Sequence, residues 1–183
     1  MKVLVGTILI LAVVSYEVYT SDWFQKKYMF PFPYQDIVYR YSLEREIDPF
    51  LIAGVIRTES KFNTQAKSPK GALGLMQMMP ETAKWVADQM ENEDYNITKL
   101  ENPEVNISMG TWYLESLKKE FKGNEVLMLA AYNGGRGNVK QWMGQYEWTM
   151  SFNEVDKIPF RETKEYVNRV LYSKKRYQEL YGR

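Results

Sequence analysis

The chain has 183 residues, 45% of them hydrophobic, and a formal net charge of +1. That is enough for one core, leaves little room for two, and carries no whole-molecule field of the kind that marks nucleic-acid binders. It contains no Cys and no His, which excludes disulfides, thiol nucleophiles, thiolate or histidine zinc sites, and Ser-His-Asp or Cys-His hydrolases. Any catalysis must run on carboxylates, Tyr, Lys or amides, and no metal or cofactor is expected.

The chain opens with Met1-Lys2 and an apolar run from Val3 to Val14, broken only by Gly6 and Thr7. A positive residue followed by such a run has the n-region and h-region arrangement of a secretory signal, but no Ala-x-Ala cleavage site follows. With Ser15, Tyr16, Val18 and Tyr19 the stretch approaches the ~17 residues that just span a bilayer, with Glu17 at the interface. Residues 1–20 are therefore read as a retained membrane anchor in preference to a cleaved signal. Residues 21–33 hold Trp23, Phe24, Tyr28, Phe30 and Phe32 around Lys26-Lys27, a mixture that suits a membrane interface and reads as a juxtamembrane linker. The same residues would also suit packing on the domain. A single domain, expected as a monomer, is assigned to residues 34–183.

Within it, Ile37, Val38 and Tyr41 have helical spacing, and Asp48-Pro49 supplies a cap and a first-turn proline for the next helix. On that helix Ile52, Val55 and Ile56 form one face, and the next position on the face is Glu59. A carboxylate interrupting an apolar stripe is desolvated, its pKa rises, and a raised pKa is what a general acid near neutral pH needs. The alternative is an amphipathic face that ends one turn early, with Glu59 at a solvated edge. Ser68-Pro69, Gly71 and Gly74 then break the chain into turns, and Gln77 sits as an amide among Leu75, Met76, Met78 and Met79 before Pro80.

The rest stays helical. Thr82 to Met90 has Trp85 and Val86 inward. Asn102-Pro103 starts a helix to about Phe121 with Val105, Met109, Trp112, Tyr113 and Leu117 inward, and Val126 to Tyr132 is a nearly all-apolar core helix closed by Gly134, Gly135 and Gly137. Val139 to Met143 and about Glu162 to Tyr181 complete the set. The C-terminal excess of Lys164, Arg169, Lys174, Lys175, Arg176 and Arg183 reads first as a solvated helix face.

Glu59-Ser60, Phe62-Asn63, Ala66, Ser68-Pro69, Gly71-Ala72, Gly74-Leu75-Met76-Gln77 and Met79-Pro80 together resemble the signature of the family 1 lytic transglycosylases, the soluble-lytic-transglycosylase domain of the lysozyme superfamily. Three later blocks also match: Asn102-Pro103-Glu104-Val105-Asn106-Ile107, Ala131-Tyr132-Asn133-Gly134, and Ile158 to Thr163 with Tyr166-Val167. Four ordered motifs over roughly residues 33–180 are far more specific than any one. The resemblance implies a small, mainly α, lysozyme-like domain with a glycan-binding cleft. It makes Glu59 the catalytic acid and lines the cleft with Ser68, Gln77, Met79, Tyr132, Asn133, Glu162 and Tyr166. Each lining residue also has a plain structural reading: a turn for Ser68, core filling for Met79, a helix end for Asn133, a first-turn acid for Glu162 and packing for Tyr166. The chain departs from the family in having Gly134-Gly135-Arg136-Gly137 where Ala-Gly-Pro-Gly is usual after Tyr-Asn, and Thr64 where a Pro is frequent.

The implied substrate is peptidoglycan and the implied reaction is cleavage of the β-1,4 bond between N-acetylmuramic acid and N-acetylglucosamine, leaving 1,6-anhydromuramoyl ends. The expected location is the bacterial cell membrane with the domain on the extracytoplasmic side, or secretion if the first segment is cleaved. Two other readings stay open: a muramidase with water as acceptor in the same cleft, and a catalytically silent, membrane-tethered glycan-binding protein.

Overall fold

The computed structural model describes residues 2–182, with side chains from Val5 onward. Met1 and the Lys2 side chain of the expected n-region, and Arg183 of the basic C-terminus, lie outside the described residues. Among those described there are nine α-helices and no β-strand, only isolated bridges pairing Lys67 with Leu73 and Leu73 with Met78. The fold is mainly α, as the residue pattern predicts.

Helix α4 (Pro49–Ser60) is the axis. The Asp48 carboxylate accepts from the Phe50 N–H at 2.8 Å and Pro49 occupies the first turn, so the helix begins where its free N–H groups are satisfied. It ends because Lys61 and Phe62 turn into the left-handed region, φ 52° and 65°. Leu51 to Ile56 are all buried. Along one side runs α9 (Arg161–Tyr181), which buries Tyr166, Val167, Val170, Tyr177 and Leu180. The two backbones come together at Gly54, where a Cβ would stand 3.0 Å from the Val170 carbonyl oxygen and 3.1 Å from the Lys174 nitrogen. Lys174 then reaches Asp48 at 3.1 Å and Glu125 at 2.5 Å, fastening the starts of α4 and α7 (Glu125–Gly134) to the middle of α9.

The main core gathers α4, α7 and α9 with α3 (Gln35–Arg45), α6 (Pro103–Glu120) and α8 (Arg136–Gln145). A second, smaller core of Met78, Ala83, Val86, Ala87, Leu100 and Met109 lies under α5 (Pro80–Gln89). The turn segment 61–79 runs between the two cores, and Asn106 holds it in place. This fully buried amide accepts from the Met76 N–H at 2.8 Å and donates to the carbonyls of Leu73 at 3.1 Å and Leu100 at 2.8 Å. A buried amide with three backbone partners fixes a loop as firmly as a sheet ladder would.

Of residues 21–33, expected as a linker, the part from Gln25 to Pro33 packs on the domain. After the short α2 (Asp22–Phe24) and a π-turn at Gln25–Met29, Phe30 and Phe32 enter the core at 3% and 7% exposure. Arg57 donates to the Met29 carbonyl at 2.8 Å, Tyr177 to Pro31 at 2.9 Å and Tyr181 to Phe30 at 2.9 Å. Aromatic side chains next to a helical surface with free hydroxyl donors find more buried area there than in a free tether. By contrast α1 (Lys2–Thr20) exposes its apolar residues from Val5 onward, with Leu9 at 61% and Ile10 at 66%. No single helix among the described residues is long and apolar enough to cross a membrane; Val5–Thr20 and Asp22–Met29 pass that test together, bent by 56°.

Candidate active site

Glu59 sits on the last turn of α4, half-buried, where the helix delivers its carboxyl between α7 and α9. Burial raises its pKa to about 7; the exposed Glu162 carboxylate pushes the same way, while Tyr166 and Arg169 on α9 favour the charged form and pull it down. Near neutrality this group is therefore divided between acid and base, the condition for donating and recovering one proton.

Two tyrosines stand around it. Tyr132 on α7 donates its hydroxyl to the Met76 carbonyl at 2.8 Å, joining α7 to the turn segment. Tyr166 on α9 is buried. Both phenols are held well above their ordinary pKa, first by burial and then by the negative Glu59 nearby. The Tyr166 hydroxyl is close enough to Glu59 to influence its ionisation, yet the two atoms do not close a hydrogen bond of standard geometry and the hydroxyl has no other partner. The hydroxyl is thus within reach of the carboxyl and not bonded to it.

The turn segment forms the opposite wall. Ser68 closes its own loop, with Oγ accepting from the Ala72 N–H at 2.9 Å. Gln77 holds a left-handed backbone, φ 48°, rare for a residue with a side chain. Its amide nitrogen donates to the carbonyls of Ala66 at 3.0 Å and Gly74 at 2.9 Å. With both N–H groups engaged, the amide oxygen is the polar part left for a ligand. Met79 is 39% exposed at the start of α5. From α9 the exposed Glu162 reaches across to Lys70 in the turn segment at 3.9 Å. The Ser60 hydroxyl, one residue beyond Glu59, donates to the Leu75 carbonyl at 2.8 Å and ties the acid-bearing turn to this wall.

Thus Glu59, Tyr132 and Tyr166 are brought together, and Glu162 joins them electrostatically. Among the described residues, Ser68, Gln77, Met79 and Asn133 make no hydrogen bond or ion pair with Glu59; Ser68 and Gln77 bond within the turn segment and Met79 is exposed at the start of α5. The sequence pattern presents Asn106 only as one member of the Asn102 to Ile107 block, and its role in seating the turn segment emerges from the structure. Its signal is visible in hindsight as an amide on the same helical face as Met109 and Gly110. A hollow of ≈ 690 Å³ lined by Tyr146, Trp148 and Phe152 holds none of these site residues. No group of His, Cys, Asp and Glu able to hold a metal exists among the described residues.

The chain is similar to known proteins in both sequence and fold. The family model described as the transglycosylase SLT domain matches residues 36–154. The soluble lytic murein transglycosylase of Salmonella typhimurium is 38% identical over 151 residues, covering 81% of this chain and 23% of that protein. The membrane-bound lytic murein transglycosylase C of Edwardsiella ictaluri is 36% identical over 123 residues, 58% of this chain and 32% of that one. The solved structure of the 70 kDa soluble lytic transglycosylase from Escherichia coli superposes with a TM-score of 0.79 at 36% identity, covering 87% of this chain and 26% of its own. The chain thus spans about a quarter of the length of the soluble relatives it matches.

Proposed function

The chain belongs to the transglycosylase SLT-domain family, and from that premise we propose that it is a peptidoglycan lytic transglycosylase in which Glu59 serves first as general acid and then as general base. The observation that carries this reading is the Glu59 carboxyl, lifted to about pKa 7 by burial between two tyrosines.

A glycosidase that uses two carboxylates needs a second one fixed beside the scissile bond. The carboxylate that acts on Glu59 through its charge is Glu162, which is 73% exposed and faces Lys70. That placement suits the rim of a cleft better than a buried nucleophile. Substrate assistance removes the need for it. Protonated Glu59 donates to the glycosidic oxygen as the bond to C1 of N-acetylmuramic acid breaks, and the sugar's own N-acetyl oxygen supports C1. The Glu59 carboxylate then takes the proton of the C6 hydroxyl of the same sugar, whose oxygen bonds to C1 and closes the 1,6-anhydro ring. The proton returns to Glu59 and no water is consumed. Tyr166, Tyr132, the Gln77 amide and Met79 wall the sugar, and an intramolecular hydroxyl held there has a large advantage over water.

We further propose that residues 34–183 form the catalytic unit, acting as a monomer, with residues 25–33 docked on it. Residues 1–20 hold it at the outer face of a membrane; among its relatives are proteins named as soluble and as membrane-bound. The exposed apolar shell of α1 supports this, as do Trp23 and Tyr28 with the Lys27 ammonium 5.1 and 5.3 Å from their rings, a pairing suited to the headgroup layer.

Digestion of purified peptidoglycan followed by mass spectrometry tests the reaction. Anhydro ends have no reducing aldehyde, so borohydride is expected to leave the product masses unchanged. A gain of two hydrogens at most new ends would make the enzyme a muramidase, and no new ends would make it a glycan-binding protein.

A further inference from the structure

From Tyr132 the aromatic rings step outward along one wall. The Tyr132 ring lies 5.4 Å from that of Tyr113 on α6, and Tyr113 lies 6.2 Å from Trp85 on α5, edge to face at 82°. Trp85 is still 36% exposed. A groove of ≈ 480 Å³ is lined by these two outer rings together with Glu81, Thr82, Gly135, Arg136 and Gly137. It begins two residues beyond Asn133, and a side chain built at Gly137 would meet nothing within 4 Å.

The groove is rigid. The Arg136 guanidinium lies over both rings, 4.8 Å from the centre of Trp85 and 5.4 Å from that of Tyr113. It donates to the Ser116 hydroxyl at 3.1 Å and pairs with Glu120 at 3.5 Å, and Glu120 also holds Lys140 at 2.6 Å. Arg136 stands where the resembled Ala-Gly-Pro-Gly pattern has Pro, so the cation over Trp85 comes with a departure from that pattern.

We propose that this groove is a distal subsite for a hexosamine ring of the glycan strand, beyond the sugars at the scissile bond. The inference rests on the glycan-cleaving reading above and extends it. Three features select a sugar. An exposed indole next to a phenol offers apolar area to the C–H face of a pyranose. The rim supplies a carboxylate, a hydroxyl and a guanidinium, which together match a ring of neutral hydroxyl and acetamido groups. The positive charge of Arg136 is already opposed by Glu120 and by Glu81 in the same groove, so an anionic peptide gains little there. Because Arg136 fixes the rings before binding, little side-chain freedom is lost on capture.

The test uses the full chain and soluble peptidoglycan glycan fragments of two to six sugars. For wild type, kcat/KM is expected to rise with length as the groove fills. Trp85→Ala is expected to remove about tenfold of that rise, mainly through KM on the longest fragment, and Trp85→Phe to restore most of it. Leu43→Ser, at an 81% exposed site on α3, serves as the unchanged control. An equal loss on the shortest and longest fragments, or no loss on either, overturns the subsite. If wild type cleaves no fragment, the functional reading falls, and calorimetric titration with the six-sugar fragment decides the groove: weaker binding by Trp85→Ala upholds it and equal binding overturns it.

Discussion

Gly74 and Asn106 occupy the same space: a Cβ added to Gly74, whose φ is 75°, would stand 2.2 Å from Asn106 Nδ2 and 2.3 Å from the Leu100 carbonyl oxygen. The site's turn segment is seated on a buried amide because that one residue has no side chain. Gly74→Ala is therefore expected to push Asn106 off its partners. Asn106→Ala should cost on the order of 2–4 kcal/mol by leaving the Met76 N–H and the Leu100 carbonyl unpaired, while the Leu73 carbonyl keeps the Met78 N–H at 3.0 Å. Urea unfolding of both variants checks this, and a loss below ~1 kcal/mol would mean that the segment is held by something else.

Much of this was legible because it is local. Asp48-Pro49 and Asn102-Pro103 announce helix starts through cap chemistry contained in a few residues, and both helices begin there. Glu59 stands out because a carboxylate on an apolar stripe is costly. What was not legible depends on partners far along the chain. Asn106 reaches back 33 residues to Leu73, Tyr181 reaches back 151 to Phe30, and Gln77 gives its N–H groups to the carbonyls of Ala66 and Gly74, a pairing that the order of residues in the motif does not reveal. The composition of residues 21–33 suits a membrane interface and a domain surface equally, and only the neighbouring hydroxyls and Arg57 select the latter. Helix α7 runs through Gly134 and closes at Gly135, φ 89°, because Gly134 is packed against Thr163 and Trp142 and the next glycine is free to turn.

The docked stretch gives a truncation pair with opposite outcomes. Removal of residues 1–20 is expected to leave a folded domain that no longer floats with lipid vesicles. Removal of residues 1–33 also takes Phe30, Phe32 and the acceptors of Arg57, Tyr177 and Tyr181, and is expected to lower the melting temperature by several degrees or more. Equal melting temperatures would show the docking to be superficial.

Glu59 also sets a pH dependence of stability. Its folded pKa is raised to about 7 from the ordinary 4.5, so between these values the folded state holds a proton that the unfolded chain has released. Stability is full below about 4.5, falls as pH rises through that window, and is lowest above 7. Glu59→Gln carries no charge and escapes this penalty, at most about 3 kcal/mol. The variant is expected to cleave no glycan, to melt above wild type at pH 8, and to converge with it near pH 5. A variant that melts below wild type at pH 8 would mean that the carboxylate is needed structurally.

Tyr166 tests how the acid is tuned. Its hydroxyl is buried without a partner, so Tyr166→Phe removes an unsatisfied group and should leave the fold as stable as before or slightly more so. The same hydroxyl favours the Glu59 carboxylate once ionised, so its loss should raise the Glu59 pKa further. Because the first step needs Glu59 protonated, the alkaline limb of kcat/KM, expected near pH 7 in wild type, should then move to higher pH. A higher pKa also makes Glu59 a weaker proton donor in that first step, which should lower kcat at pH 6, where the group is mostly protonated in both proteins. An alkaline limb that stays in place with reduced kcat would assign Tyr166 to holding the sugar, and an unchanged profile with unchanged kcat would remove it from the site.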